Sequence, residues 1–114
     1  MSNELLAALY VKNGKSLGIE FEHGQIKPLA YGASTDMGNV SRVLPSIHPE
    51  YSLNIPSGPH TTEFRDVART ESAHETTLLH AKALSMTAID VFSDPSLVLK
   101  MKEEFKQQLK SETE

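Results

Sequence analysis

The 114-residue chain contains no cysteine and no tryptophan. Without thiols there can be no disulfide cross-link, thiolate zinc site or cysteine nucleophile, and a cytoplasmic location is in keeping with that. Aromatic residues make up only 6 %, so a core has to come from Leu, Ile, Val, Ala and Met. There is no basic run and the net charge is −4. The positive stripe by which proteins grip nucleic acid is therefore missing, and no nucleic-acid partner is expected. The apolar stretch Leu5–Val11 is too short and interrupted for a signal segment or membrane span, so no membrane partner is expected either. Asn39-Val40-Ser41 fits the glycosylation triplet and, lacking a secretory leader, is expected to go unused.

What is present reads as a modest α/β unit. Ser2 can cap a first helix over 2–13 with a stripe of Leu5, Leu6 and Leu9, and Asn13-Gly14 reads as its stop. Ile19 and Phe21 alternate with Glu20 and Glu22 between Gly18 and Gly24, the pattern of a short strand. A short helix over 36–42 is broken by Leu44-Pro45, and 51–55 reads as a second strand closed by Pro56-Ser57-Gly58-Pro59. Ser72 and Glu75 have capping-box spacing at the head of a helix running to about Phe92. Its broad apolar girth, with Leu78, Ala81, Leu84, Ala88 and Val91, predicts burial against a sheet. Asp94-Pro95 then starts a final helix over 95–110 with a narrow stripe of Leu97, Met101, Phe105 and Leu109. The last residues, 111–114, read as a disordered tail.

Two segments carry candidate chemistry. Gly32 and Ala33 would let a ligand approach the backbone, and Ser34, Thr35 and Asp36 can open a helix whose free amides attract a carboxylate or phosphate. The Gly-Lys-Ser/Thr ending of a nucleotide-binding loop is missing, and on the residues alone an ordinary capped helix start is the favoured reading of the turn. His60 sits behind Pro56, Gly58 and Pro59, which would hold its imidazole still, as a metal ligand requires, although a lone loop histidine is more often an ordinary surface residue. Glu63, Asp66 and Glu71 are the carboxylates within reach as orienting partners, and spacing does not choose among them. His74 and His80 stand six apart, about 120° around a helix, so they do not form the His-x-x-x-His zinc motif. His48, between Ile47 and Pro49, reads as a loop or strand-edge residue.

Five segments in order have a wider meaning: Gly32 through Ser41, Pro45-Ser46-Ile47-His48-Pro49, His60-Thr61, Ala81-Lys82-Ala83-Leu84 and Met86-Thr87-Ala88. Together they resemble the C-terminal part of the zinc amidohydrolase and aminoacylase-like metallopeptidases, in the branch of Xaa-Arg dipeptidase and aminobenzoyl-glutamate hydrolase. The likeness runs from about Leu5 to Phe105. It implies an α/β catalytic domain holding two zinc or manganese ions, in which a carboxylate base drives a metal-bound water onto an amide beside a free carboxylate. It further implies that His60 is a metal ligand, that Ser34 and Thr35 lie beside a dipeptide or N-acyl amino acid substrate, and that the full-length enzyme is a homodimer. The family's other ligands and its base lie upstream of the part resembled.

The resulting expectation is that residues 1–114 form a partial catalytic domain, α/β, with a few strands completing a larger sheet, and no hydrolase activity alone. A non-catalytic chain that pairs with a full-length enzyme, such as a truncated isoform, is the alternative. An independent anion-binding module using the 32–39 turn is the third reading.

Overall fold

The computed structural model describes residues 1–21, 35–53 and 61–113. All regular structure in them is helical: α1 (Glu4–Ser16), α2 (Met37–Val40), α3 (Thr62–Ala68), α4 (Glu71–Ser93) and α5 (Pro95–Thr113). The expected α/β class is thereby corrected to mainly α for the described residues. The reason is local. At 19–21 the Ile19 amide donates to the Gly14 carbonyl at 2.9 Å, finishing the end of α1 in place of a strand ladder. Ile19 and Phe21 then fold back against Tyr10, so their alternation marks a covering segment and not a strand. Residues 51–53 are irregular too, and the remainder of the second expected strand, 54–55, lies outside the described residues.

Helix boundaries differ from the expected ones for identifiable reasons. Asn3, not Ser2, caps α1, its Oδ1 accepting from the Leu6 amide at 3.1 Å. The helix passes through Gly14 to Ser16, and the chain turns away at Gly18, whose φ of +87° only glycine adopts without strain. Gly14 is kept free of a side chain by the Phe21 ring, which occupies the space a Cβ would need. Thr70 replaces the Ser72–Glu75 box as the cap of α4, accepting from Ala73 N while its hydroxyl donates back to Val67 O of α3. Asp94 and Pro95 open α5 as expected: the Asp94 carboxylate accepts from Ser96 Oγ and from the Ser96 and Leu97 amides. Those bonds, the Ser96 hydroxyl foremost, hold the Asp94 carboxyl below its ordinary range. Far from fraying at Lys110, α5 continues through Ser111 to Thr113.

The packing is a helical frame around α1. The buried side of α1 is Asn3, Tyr10, Asn13 and Gly14, while Leu5, Leu6 and Leu9 are only half-buried. Against it α4 turns Ala73, Ala83 and Thr87. Ala83, with no exposed surface, sits with Tyr10 and Ile19 at the centre of the small core. Asn13 Nδ2 bridges to Thr87 Oγ1 at 3.0 Å and to Asp90 Oδ2 at 2.9 Å. At the opposite end α5 clasps the start of α1. The Glu104 carboxylate accepts from the Glu4 and Leu5 amides, Gln108 donates to Ser2 O, and Asn3 Nδ2 donates to Met101 O. A carboxylate at a helix N-terminus satisfies free donors and meets the positive end of the dipole.

The expected packing of a largely buried α4 against a sheet is not what is seen among the described residues. Leu78, Ile89 and Phe92 are 70, 63 and 90 % exposed. No described helix is long and apolar enough to cross a membrane.

Asn3 carries four bonds from a position that is 1 % exposed: its backbone amide also donates to Ser46 O at 2.8 Å and its carbonyl accepts from the Ala7 amide at 3.0 Å. Loss of the cap together with the Met101 contact costs on the order of 2 kcal/mol. Asn3→Ala is therefore expected to lower the unfolding free energy by that amount in chemical denaturation; a change under about 0.5 kcal/mol would show that α1 is held by other means.

Candidate functional site

The tightest cluster of functional side chains lies on the α1–α4 seam, where the sequence pattern pointed to none. Tyr10 Oη and His80 Nδ1 are 2.9 Å apart. The Tyr51 ring stacks on the His80 imidazole with centroids 4.6 Å apart and planes 15° from parallel, and its hydroxyl meets Thr77 Oγ1 at 2.9 Å. Tyr10 meets Phe21 edge-on at 5.8 Å. Burial pushes the His80 imidazole below the ordinary histidine range and lifts the Tyr10 phenol, with a smaller push from Tyr51. One imidazole nitrogen is engaged by Tyr10 and one ring face is covered by Tyr51. That arrangement fastens the segment around Tyr51 and helix α1 to α4. The signal available in the sequence was spacing alone: Ala73, His80, Ala83 and Thr87 share one face of α4.

Of the expected substrate-side pair, Thr35 is described and Ser34 lies outside the described residues. Thr35 is exposed, and its Oγ1 accepts from the Met37 amide at 3.3 Å. Helix α2 behind it is a single turn, and Asp36 makes no side-chain capping bond. So short a helix has little dipole to offer an anion. Thr35 and His48 both line a shallow depression of about 210 Å³, whose other walls include Met1, Met37, Ser41 and Ile47. The structure thereby brings together two segments that are separate in the sequence motifs. Arg42 anchors this region to the end of α5 through a 2.8 Å ion pair with Glu112.

The expected metal ligand His60 also lies outside the described residues. Directly after it, Thr61 caps α3 by accepting from the Phe64 amide at 3.1 Å, a helix that the sequence pattern did not announce. Among the carboxylates considered as partners for His60, Asp66 is engaged by Arg69 at 2.7 Å and by Arg65 at 3.5 Å. Glu71 stands in the first turn of α4. Among the described residues no three His, Asp or Glu side chains converge where a metal ion could sit. The described residues do not by themselves make a metal centre.

Comparison with known proteins finds similar chains. The chain is 40 % identical to the Xaa-Arg dipeptidase of Mus musculus over 110 residues, which is 96 % of this chain and 26 % of that one. With the Xaa-Arg dipeptidase of Homo sapiens it shares 39 % identity over 112 residues, again 26 % of the relative's length. It is 30 % identical to a p-aminobenzoyl-glutamate hydrolase chain of Escherichia coli (strain K12), over 90 % of this chain and 23 % of that protein. The chain thus spans about a quarter of the length of the curated relatives it matches. No family profile and no solved structure matches it.

Burial of His80 has a measurable consequence. With its folded pKa below the unfolded value, both states are neutral above the histidine range and the group contributes nothing to stability there. As pH falls through that range the unfolded state takes up the proton first, so acid destabilises the fold. An imidazole NMR titration is expected to place the His80 midpoint below the ordinary histidine value; a midpoint at or above it would contradict the buried seam.

Proposed function

Since the chain is a homologue of the Xaa-Arg dipeptidases over about a quarter of their length, we propose that it supplies the C-terminal portion of a metal-dependent dipeptidase or amidohydrolase domain. The observation that carries this reading is the 40 % identity maintained over 96 % of the chain. Identity at that level and extent is the mark of a shared fold segment. A shared fold alone does not transfer chemistry, so the roles of individual residues rest on the motifs themselves.

In this reading the substrate is a dipeptide or N-acyl amino acid, cut at the amide beside its free carboxylate. His60 contributes one ligand to a zinc or manganese pair, whose chemistry when bound is to polarise the carbonyl and activate water. Ser34 and Thr35 hold the substrate's polar end. The depression shared by Thr35 and His48 supports this placement, because it opens beside the turn that carries Thr35. The general base and the other ligands belong, in this reading, to the part of the relatives' fold that this segment does not match.

The chain's own contribution would then be structural and positional. Helices α1, α4 and α5 form the support, and the segments before α2 and α3 carry the substrate-side and ligand residues. One histidine cannot hold a metal pair, so the chain on its own has no hydrolase activity.

The test is complementation. Purified chain with added zinc or manganese is expected to leave Xaa-Arg dipeptides uncut. Co-expressed with mouse Xaa-Arg dipeptidase from which the matched segment has been deleted, it is expected to restore metal-dependent cleavage. His60→Ala is expected to reduce that cleavage by roughly a hundredfold or more, as loss of a ligand does. Enzyme-like turnover by the chain alone would sink the claim of inactivity, and full activity with His60→Ala would remove the ligand assignment.

A further inference from the structure

Helix α4 has apolar residues on two sides, and the described packing uses one. Its inner stripe, Ala73, Ala83 and Thr87, is buried against the frame. Phe92 lies nine residues beyond Ala83, two and a half turns, and so on the opposite side. Phe92 is 90 % exposed, and Leu78 and Ile89 flank the same outer side. Ala81, Ser85 and Ala88, all exposed, adjoin this side, and the exposed Lys82 stands between Leu78 and Ile89. Lys82 and Ser85 interrupt the side there, so the apolar surface is concentrated at Ile89 and Phe92 near the end of the helix, with Leu78 a separate apolar point. Large apolar side chains grouped on a helix face in water mark a contact surface.

Three observations indicate what covers it. The matched relatives are about four times longer than this chain, so most of the fold in which this segment is embedded there lies outside it. The frame is also open: its Cα radius of gyration is 15.7 Å, against roughly 13 Å for a compact domain of this length. Among the described residues its buried apolar set is confined to Tyr10, Ile19, Ala73, Ala83 and Met101. Finally, the face is too small for a stable pair of identical chains. Helix α4 is about 35 Å long, and a strip of helix surface roughly 10 Å wide presents on the order of 350 Å², less than half the ~800 Å² per partner of a standard interface. A large partner that also meets the rest of the frame does not have that shortfall.

We propose that the outer face of α4, centred on Phe92 with Leu78 and Ile89, is the surface by which this segment docks onto the remaining three-quarters of a dipeptidase-type fold. The inference rests on the homology underlying the proposed function, but it concerns binding and not catalysis. Docking here would bury the second apolar side of α4 and enlarge the small core that now lies on its inner side.

The experiment co-expresses the chain with mouse Xaa-Arg dipeptidase lacking its matched segment and measures the soluble complex by affinity capture of the chain. The wild-type chain is expected to bring the truncated dipeptidase into the soluble fraction. Phe92→Asp and Ile89→Glu are each expected to reduce capture by about tenfold or more, the loss of a buried interface anchor, with helical circular dichroism unchanged because both positions face water. Lys102→Ala, on the exposed side of α5, is expected to leave capture unchanged. Three results would overturn the proposal: no complex with the wild-type chain, equal capture with Phe92→Asp, or a dimer of the chain alone that Phe92→Asp abolishes. A complex that forms without cleaving dipeptides would sink the functional reading while leaving the docking surface in place.

Discussion

The described structure depends on the seam between α1 and α4. That seam is unusual in being more polar than apolar. Tyr10 meets His80 within hydrogen-bonding distance, and Asn13 reaches both Thr87 and Asp90. Between these bonds, among the described residues, the one fully enclosed apolar group is the methyl of Ala83. Of these bonds Asn13–Thr87 is buried, while Tyr10–His80 and Asn13–Asp90 are part-buried, all at 2.9–3.0 Å. A buried polar group left without its partner costs about 1–3 kcal/mol, so such a seam tolerates few alternative registers. What it lacks in buried area it gains in specificity of alignment.

Other parts of the chain are positioned through that seam. Tyr51, stacked on His80, ties the segment that follows the 45–49 loop to α4. The clasp of Glu104, Gln108 and Met101 on the start of α1 fixes α5 to the same frame. Arg42 and Ser41 then link the turn after Thr35 to Glu112 and to the N-terminal amine. The candidate site residues are thus carried on irregular segments, while the helices that support them make the long-range contacts. Loops on a rigid support are the usual location of binding residues. Here the support is only partly enclosed, since Leu78, Ile89 and Phe92 on one side of its longest described helix remain exposed.

Much of the helical plan was legible from residue order. Asp94-Pro95 opened α5, and Met101 marks the buried stripe that Leu97, Phe105 and Leu109 extend. The helix expected over 72–92 is present and one residue longer at each end, because Thr70 was nearer to α3 than Ser72 was. The expected strands do not form in the described residues. Alternation at Ile19 and Phe21 was real, but its apolar residues cover Tyr10 and Gly14 instead of joining a ladder. Helix α3 was missed because seven residues are too few for a periodic signal, although Thr61 is an ordinary cap. The Leu stripe of α1 was misjudged for a related reason. Leucine count favoured Leu5, Leu6 and Leu9, whereas hydrogen bonding to α4 favoured the side bearing Tyr10 and Asn13. Of the candidate site, Thr35 is positioned beside a depression, and Ser34 and His60 fall outside the described residues.

A double-mutant cycle between Tyr10 and His80 tests the seam most directly. Tyr10→Phe and His80→Leu, singly and together, would be compared by chemical denaturation above the histidine titration range. Residues that share a part-buried hydrogen bond are expected to show a coupling energy of about 1 kcal/mol, the double variant losing less than the two single variants added together. Strict additivity, to within about 0.3 kcal/mol, would mean that the two side chains act independently and that α1 and α4 are aligned by something else.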